Sequence, residues 1–182
     1  LNDAIEWYRD ESARFADARG REQYETAHIR GAAFSPVSRG GNVAAPVSEW
    51  PPDGRIVTYC GCPHHLSTIR ARTLLDLGYT RVYALDEGFF AWKDAGYPLA
   101  GADVGRTPSL HVIRGRTDPA DAGGFAWARR GENVEAAPIG DDGSYALHVR
   151  FAVAADDLVT VETPSYAVEA PLAALTDGVV TG

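Results

Sequence analysis

The chain's only two cysteines and two of its five histidines lie close together, at Cys60, Cys62, His64 and His65. A cysteine thiolate is both a nucleophile and a soft metal ligand. An imidazole can bind a metal, move a proton or become a cation near neutral pH. This segment can therefore support nucleophilic, metal-binding or anion-binding chemistry, and the elements on either side of it decide which is favoured.

A predicted strand precedes the segment and a predicted helix follows it. Residues 56–59 (Ile-Val-Thr-Tyr) form a short apolar run that is typical of a buried strand. Residues 67–77 are predicted to form a helix, because Leu66, Ile69, Leu74 and Leu77 recur near helical spacing and Gly78 supplies a stop signal. A loop from strand to helix aims its backbone N–H groups at the positive end of the helix dipole, where a thiol ionises more easily. The pattern predicts a cysteine nucleophile in an anion-binding loop.

The composition is that of an acidic globular protein. With 45% hydrophobic and 10% aromatic residues, the 182-residue chain is long enough for one large domain or two small ones. Its net charge of −8 argues against a general nucleic-acid surface. We find no apolar run of about 18 residues, so no membrane span is predicted. Because the chain begins with Leu1 and has no signal-peptide pattern, we expect a fragment or processed form.

Strands and helices alternate along the first 100 residues. The predicted strands cover residues 13–18, 56–59 and 81–85, and the predicted helices cover residues 1–12, 21–26, 67–77 and 88–95. Residues 37–52 are rich in Ser, Gly and Pro and are predicted to form a loop. Such alternation implies a parallel sheet with helices on its faces, and a site in the loops that follow the strands.

The sequence pattern changes after Gly101, where apolar residues no longer recur at helical spacing and instead alternate with polar ones. Every odd position of residues 145–153 is apolar, as in a strand with one buried face. Companion strands are predicted at residues 109–113, 125–128, 134–137 and 158–161. We therefore predict an α/β domain over residues 1–105 and a small all-β sandwich domain over residues 106–182.

Several short motifs follow one another in a characteristic order in the first domain. They are Asp17-x-Arg19, His28-Ile29-Arg30-Gly31-Ala32, Tyr59-Cys60, the set Leu85, Gly88 and Trp92, and finally Gly96-Tyr97-Pro98. In this order and spacing they resemble a rhodanese (thiosulfate sulfurtransferase) domain. The resemblance implies a rhodanese-like parallel sheet flanked by helices, no cofactor, and a persulfide-forming cysteine. Only Cys60 occupies the position of that cysteine.

The loop after Cys60 departs from the family pattern. It is one residue longer than the usual family loop, and Leu66 precedes Ser67 where a longer C-x5-R loop would have Arg. Pro63 removes one N–H from the loop. Glu87 replaces the first glycine of a family pair, and its carboxylate would oppose anion binding unless it points away. These departures bear on the substrate more than on the fold.

Residues 109–170 more weakly resemble the immunoglobulin-like sandwich of carboxypeptidase regulatory-like and transthyretin-like domains. The resemblance rests on residues 141–147 (Asp-Asp-Gly-Ser-Tyr-Ala-Leu) and on the rhythm of the strands. Such domains usually decorate exported proteins, so it favours an exported or cell-surface location. A likeness at the level of fold says nothing about chemistry.

The roles of the individual thiols stay open. Cys62 could resolve a persulfide on Cys60, could be a spectator, or could itself be the nucleophile, since the alignment is ambiguous by one or two residues. The two cysteines with His64 and His65 could also hold a soft metal, although structural zinc sites usually draw on two separated pairs of ligands. A lone cysteine is often a buried structural thiol, but the position after a strand favours Cys60 as the nucleophile.

The leading hypothesis is a sulfurtransferase that moves sulfur from thiosulfate or a similar donor to a thiol or cyanide. Cys60 is the predicted catalytic residue, and the predicted substrate-binding residues are Gly61, Cys62, His64, His65, Leu66 and Ser67. One alternative is a non-catalytic rhodanese-fold module that binds a metal or a protein partner. Arsenate or phosphate chemistry is less favoured, because the loop lacks the arginine that would bind such an ion bidentately. The sequence does not determine the oligomeric state.

Overall fold

The computed structural model describes residues 1–37, 46–61 and 65–182. The chain divides into two compact units, Leu1–Arg106 and Thr107–Gly182. No helix within the described ranges is both long enough and apolar enough to cross a bilayer.

The first unit alternates strands and helices around a parallel sheet. Its helices are α1 (Asn2–Arg9), α2 (Arg21–Thr26), α3 (Leu66–Asp76) and α4 (Gly88–Asp94). Its strands are β1 (Ala13–Asp17), β2 (His28–Ile29), β3 (Ala33–Phe34), β4 (Arg55–Tyr59), β5 (Arg81–Ala84) and β6 (Leu99–Ala100). The sheet has the order β3-β1-β4-β5 with every pair parallel, while β2 and β6 form a separate antiparallel pair. The predicted parallel sheet with helices is therefore confirmed.

Both faces of this sheet are covered by hydrophobic clusters. Successive side chains of a strand point to opposite faces, and accordingly Ile56 and Val57 of β4 belong to two different clusters. One cluster contains Phe15 and Trp92, and the other contains Leu74 of α3. Burial on both faces is what a parallel sheet requires, because its crossover helices cover it on either side.

Two predicted boundaries in the first unit are corrected by the structure. The helix predicted over residues 1–12 ends at Arg9, and Glu11 adopts a positive φ of 55° that is incompatible with a continuing helix. Residues 38–45 of the loop predicted over residues 37–52 lie outside the described residues, and in the remainder Val47–Glu49 forms a 3₁₀ turn. That turn is anchored because Val47 is fully buried and its carbonyl accepts a 2.7 Å hydrogen bond from the Tyr79 hydroxyl.

The second unit consists of two sheets with a short helix. Its strands are β7 (His111–Arg116), β8 (Phe125–Arg130), β9 (Asn133–Pro138), β10 (Ser144–Val149), β11 (Leu158–Glu162), β12 (Ala167–Pro171) and β13 (Val179–Thr181), and its helix is α5 (Leu172–Thr176). The sheets have the orders β10-β7-β13 and β12-β11-β8-β9. The predicted loss of helical structure after Gly101 is wrong at α5, because five residues are too few to show a period. The immunoglobulin-like assignment stays a prediction.

A single hydrophobic cluster fills the second unit and is supplied by both of its sheets. In β10, Tyr145, Leu147 and Val149 are buried while Ala146 is exposed, which matches the predicted alternation. Gly115 of β7 lies opposite Tyr145 in the antiparallel pair. A Cβ atom at Gly115 would lie 2.1 Å from the Tyr145 ring, so this register requires glycine there.

Because the clusters of the first unit use no residue of the second, a chain ending at Arg106 should fold on its own. The last residues belong to the unit, since Lys93 Nζ donates to the carbonyls of Gly105 at 3.0 Å and Arg106 at 2.7 Å. We expect a single cooperative thermal transition by circular dichroism. A chain ending at Pro98 lacks β6 and should melt at a lower temperature. An unfolded 1–106 chain would contradict this expectation.

Candidate active site

Cys60 lies at the edge of the sheet where the carboxyl ends of the parallel strands meet. It directly follows Tyr59, the last residue of β4, and the register places Tyr59 opposite Asp17, the last residue of β1. The backbone N–H of Ala18 donates to the Tyr59 carbonyl at 2.9 Å, which ties the two strand ends together. In open α/β sheets ligands bind at this edge, outside the carboxyl ends of the strands.

The Cys60 side chain is fully buried and held in a defined position. Its Sγ donates to the Ser67 hydroxyl oxygen over 3.5 Å, and its carbonyl accepts from the Phe89 N–H at 2.8 Å. Ser67 in the first turn of α3 is also tied to β4, because the Thr58 hydroxyl donates to its carbonyl at 2.8 Å. Strand β4 and helices α3 and α4 together fix the thiol.

Four of the predicted substrate-binding residues are described by the structure, and of these Ser67 contacts the thiol. Gly61 is buried, and a Cβ atom there would lie 3.3 Å from the Phe90 ring. Leu66 and Ser67 are fully buried, so the Leu66 side chain offers no polar group to a substrate and only its backbone can do so. His65 is half-buried and caps α3, where its carbonyl accepts from Ile69 N–H.

Two other predicted substrate-binding residues, Cys62 and His64, lie outside the described residues, as does Pro63. Among the residues that are described, no three His, Cys, Asp or Glu side chains gather as a metal site would require. The proposed soft-metal site used Cys62 and His64 as two of its ligands, so it stays a prediction.

A buried ion pair between Asp17 and Arg19 lies at the same edge of the sheet. The Arg19 guanidinium donates to both carboxylate oxygens of Asp17, at 2.9 and 2.6 Å, and to the Ala27 carbonyl at 2.6 Å. Its carbon atom lies 3.9 Å from the centre of the Phe89 ring, in cation–π geometry. A bidentate pair of this kind locks the arginine in one orientation.

Arg19 is within electrostatic reach of the Cys60 thiol. Burial favours a lower pKa for Arg19, but the charge and hydrogen bonds of Asp17, with smaller contributions from Tyr59 and Cys60, raise that pKa overall. The geometry agrees with this, because the Arg19 side chain lies 3.9 Å from where a Cβ atom of Gly61, the residue after Cys60, would be. The sequence analysis uses Arg19 only as part of the Asp17-x-Arg19 motif. The predicted parallel order of the strands could have pointed to Arg19, because it brings the residues after β1 beside those after β4.

Arg70 is a second buried arginine that sequence reasoning missed. It is only 1% exposed and follows Ser67 by one helical turn, so both lie on the face of α3 that packs against the sheet. Long side chains on a helix lean towards its N-terminus, which here is the end nearest Cys60. Burial lowers the pKa of Arg70 because its charged form is poorly solvated. The spacing of three residues between Ser67 and Arg70 could have shown that both lie on the same face of the predicted helix.

Several other motif residues have structural contacts. The His28 ring stacks on Tyr24 at 4.0 Å and its Nδ1 lies 2.7 Å from the Tyr24 carbonyl oxygen, as expected for a residue that fixes a turn. The Tyr59 hydroxyl accepts from the Ile29 N–H at 3.1 Å, and burial keeps its pKa well above the usual value. The carboxylate of Glu87 lies 2.9 Å from the Leu1 nitrogen, at the start of α1.

A model of the rhodanese-like domain matches residues 1–95. The chain belongs to the rhodanese-like domain family. The family recognition made from the motifs is thereby confirmed for the first unit. The match ends before the second unit, whose resemblance to immunoglobulin-like sandwiches stays a prediction.

Solved structures with rhodanese and sulfurtransferase names are similar to this rhodanese-like chain. The Alr3790 protein from Anabaena sp. is 24% identical over 54% of this chain and 77% of its own, with a TM-score of 0.48. The human single-domain sulfurtransferase TSTD1 is 20% identical over 52% of this chain and 92% of its own, with a TM-score of 0.46. A thiosulfate sulfurtransferase from Pseudomonas aeruginosa is 33% identical over 50% of this chain, with a TM-score of 0.42, and only 17% of its own length is covered.

Replacing Asp17 with Asn should destabilise the protein strongly. The change leaves the guanidinium of Arg19 buried without its counter-charge, which typically costs about 3–5 kcal/mol. The matched control is Asp76→Asn, which removes an ion pair to Arg72 whose side chains are 62% and 77% exposed. Such exposed pairs contribute about 0.2–1 kcal/mol. Urea unfolding measures both, and equal losses for the two variants would contradict the assigned importance of the buried pair.

Proposed function

We propose that the chain is a rhodanese-type sulfurtransferase with Cys60 as its nucleophile. The observation that carries the proposal is the position of the Cys60 thiol after β4, bonded to Ser67 and within electrostatic reach of Arg19. A thiolate is the reactive form of cysteine, and a nearby cation favours it. Membership of the rhodanese-like family supports the same chemistry, since its members include thiosulfate sulfurtransferases.

The reaction is a transfer of one sulfur atom in two displacement steps. The Cys60 thiolate attacks the outer sulfur of thiosulfate, the sulfur–sulfur bond of the donor breaks, and its electron pair leaves with sulfite. A cysteine persulfide remains on the protein. Cyanide or a thiolate then attacks the outer sulfur of this persulfide and regenerates the Cys60 thiolate. This is a ping-pong cycle that needs no cofactor.

The proposed anion-binding loop stabilises negative charge on the terminal sulfur. Backbone N–H groups of Gly61, Cys62, His64, His65, Leu66 and Ser67 are the proposed donors. The loop leads into α3, an 11-residue helix, whose N-terminus favours anions. Donors that are already in place need no reorganisation when charge develops, which is why such loops accelerate group transfer.

A non-catalytic binding module is the second candidate, and the burial of Cys60 favours it. A thiol with no exposed surface is typical of a structural cysteine. In that case the loop would hold a metal or a protein partner, and the sulfurtransferase chemistry would be absent. The two candidates differ in whether thiosulfate leaves a sulfur atom on the protein.

The second unit is proposed to be an immunoglobulin-like sandwich that is appended to the catalytic domain. Both cysteines lie in the first 62 residues of the sequence, so the proposed chemistry belongs to the first unit. We propose that the partners of the protein are a small sulfur donor and a thiol or cyanide acceptor. The charge of −8 disfavours nucleic acid as a further partner.

Incubation with thiosulfate should add one sulfur atom to the intact protein, and cyanide should remove it. Cys60→Ser should abolish this mass gain while leaving the fold intact, because serine nearly preserves the volume of the side chain. Cys62→Ser is the matched control and should still take up sulfur. The measurement is intact-protein mass spectrometry, with thiocyanate release as the rate assay.

Three results would change the assignment. Uptake by Cys60→Ser with loss in Cys62→Ser would move the nucleophile to Cys62. A wild-type protein that gains no mass would favour the binding module. Uptake by both single variants would mean that neither cysteine alone is required.

The Michaelis constant for thiosulfate should rise as the pH climbs through the range of the loop histidines. The proposed role of His64 and His65 is to attract the thiosulfate dianion when they are protonated, and an ordinary histidine loses its proton near about pH 6.5. Above it the attraction is lost. At low pH protonation of the Cys60 thiolate removes the nucleophile, so the overall rate should follow a bell-shaped profile.

Replacing both loop histidines with Gln should flatten the rise of the Michaelis constant. The matched control is His148→Gln, because His148 lies on β10 in the second unit. Steady-state kinetics from about pH 5.5 to 8.5 span the histidine titration. If the double variant keeps the wild-type pH dependence, the histidines do not bind the anion.

A further inference from the structure

A cleft of about 1110 Å³ in the first unit is separate from Cys60, Gly61, His65, Leu66 and Ser67, the described residues of the cysteine site. Among the described residues, four arginines line it, Arg9, Arg14, Arg21 and Arg30, together with the carboxylate of Glu11. Arg21 also lies 3.8 Å from the carboxylate of Glu25. All four arginines are exposed, and the sign of their charge is opposite to the net charge of −8 of the whole chain. This arginine cleft is therefore a local positive field on an acidic protein, and it attracts anions.

Two of the arginines are held over aromatic rings of the same cleft. The guanidinium carbon of Arg21 lies 4.7 Å from the centre of the Phe34 ring, and that of Arg14 lies 5.6 Å from the Trp50 ring. A guanidinium that stacks on an aromatic ring uses its flat face for that contact. Its N–H donors lie around its edge, where a carboxylate can reach them. Because these side chains are partly ordered already, less entropy is lost when a ligand binds.

The cleft also contains an open edge of β1. The ladder between β1 and β3 covers only Ala16 and Asp17, whereas the ladder between β1 and β4 covers all of Ala13–Asp17. Within the described ranges, no strand pairs with residues 13–15 on the side of β3. Both Ala13 and Phe15 line the cleft. A short length of strand edge therefore faces the arginines.

The alternation of the strand determines which backbone groups are available at that edge. The Asp17 carbonyl accepts from the Ser35 N–H at 2.9 Å, so the backbone groups of Asp17 point towards β3. The backbone groups of Phe15 and Ala13, two and four positions earlier, point the same way. Ala13 is half-buried and Phe15 is only 4% exposed, so the edge is open at Ala13 and closes towards Phe15. Open edges of this kind are the usual template for strand addition.

We propose that the arginine cleft docks an extended acidic peptide segment of a partner protein, which pairs with β1 at Ala13–Phe15 and places carboxylates against the arginines. Strand addition draws affinity from backbone hydrogen bonds and specificity from alternate side chains. The arginines come from α1, β1, α2 and the turn after β2. Such a spread suits a row of carboxylates better than one compact anion. The proposal does not depend on the chemistry of Cys60.

The test uses the full chain and a fluorescein-labelled, end-blocked peptide of ten alternating Glu and Val residues, with binding measured by fluorescence anisotropy. We expect binding that weakens as salt is added. The same peptide with Gln in place of Glu should bind at least about fourfold more weakly, since each of four exposed ion pairs is worth about 1.4- to fivefold. A Glu-Val peptide that is N-methylated at alternate residues keeps its charge, loses strand hydrogen bonds, and should also bind weakly.

The double variant Arg9→Gln, Arg14→Gln should weaken binding by about 2- to 25-fold at the same rate per ion pair. The matched control is Arg72→Gln, Arg81→Gln, which removes two exposed arginines of the first unit that do not line the cleft and should leave binding unchanged. Circular dichroism verifies that both variants are folded. Amide hydrogen exchange at Ala13 and Phe15 should slow in the complex.

Three outcomes would overturn the proposal. Equal weakening by the control double variant would show that general charge, not the cleft, holds the peptide. Unchanged exchange at Ala13 and Phe15, or undiminished binding of the N-methylated peptide, would exclude strand addition. Binding of benzene-1,3,5-tricarboxylate at least as tight as that of the peptide, with the same dependence on Arg9 and Arg14, would assign the cleft to small anions instead.

Discussion

The parallel register between β1 and β4 is the constraint on which the proposed site depends. It sets Asp17 opposite Tyr59, so the residues that follow the two strands lie at the same level. Arg19 and Cys60 are each placed just past a strand end by this register. The Asp17 carboxylate then stabilises the positive charge of Arg19, which the register brings to the same edge of the sheet as the thiol. A slip of one residue would turn every side chain of β1 to the other face of the sheet and separate these groups.

The buried arginines of the first unit differ in how their charge is compensated. Arg19 is neutralised by Asp17, so it can remain buried at little net cost. Arg70 is buried in α3, and burial lowers its pKa because the charged form is poorly solvated. In the proposed reaction Arg19 is the cation at the sheet edge that favours a Cys60 thiolate, while the burial of the thiol acts in the opposite direction.

The arginine cleft and the cysteine site use different parts of the same sheet. The cysteine site uses the carboxyl ends of β1 and β4, and the arginine cleft uses the side of β1 that β3 leaves uncovered. This division follows from the two-residue length of β3. A short outer strand gives the sheet its fourth member and still leaves backbone groups of β1 available for a partner.

Sequence alone determined the family, the parallel sheet and the strand-to-helix position of Cys60, because motif order and hydrophobic period are local properties of the chain. It also determined the alternation around Tyr145. It did not find α5, which is too short to show a period, nor the end of α1, which Glu11 sets through its backbone conformation. Only the tertiary structure brought Arg19 and Cys60 to one edge of the sheet and the four arginines to one cleft, because register and helix packing decide which distant residues become neighbours.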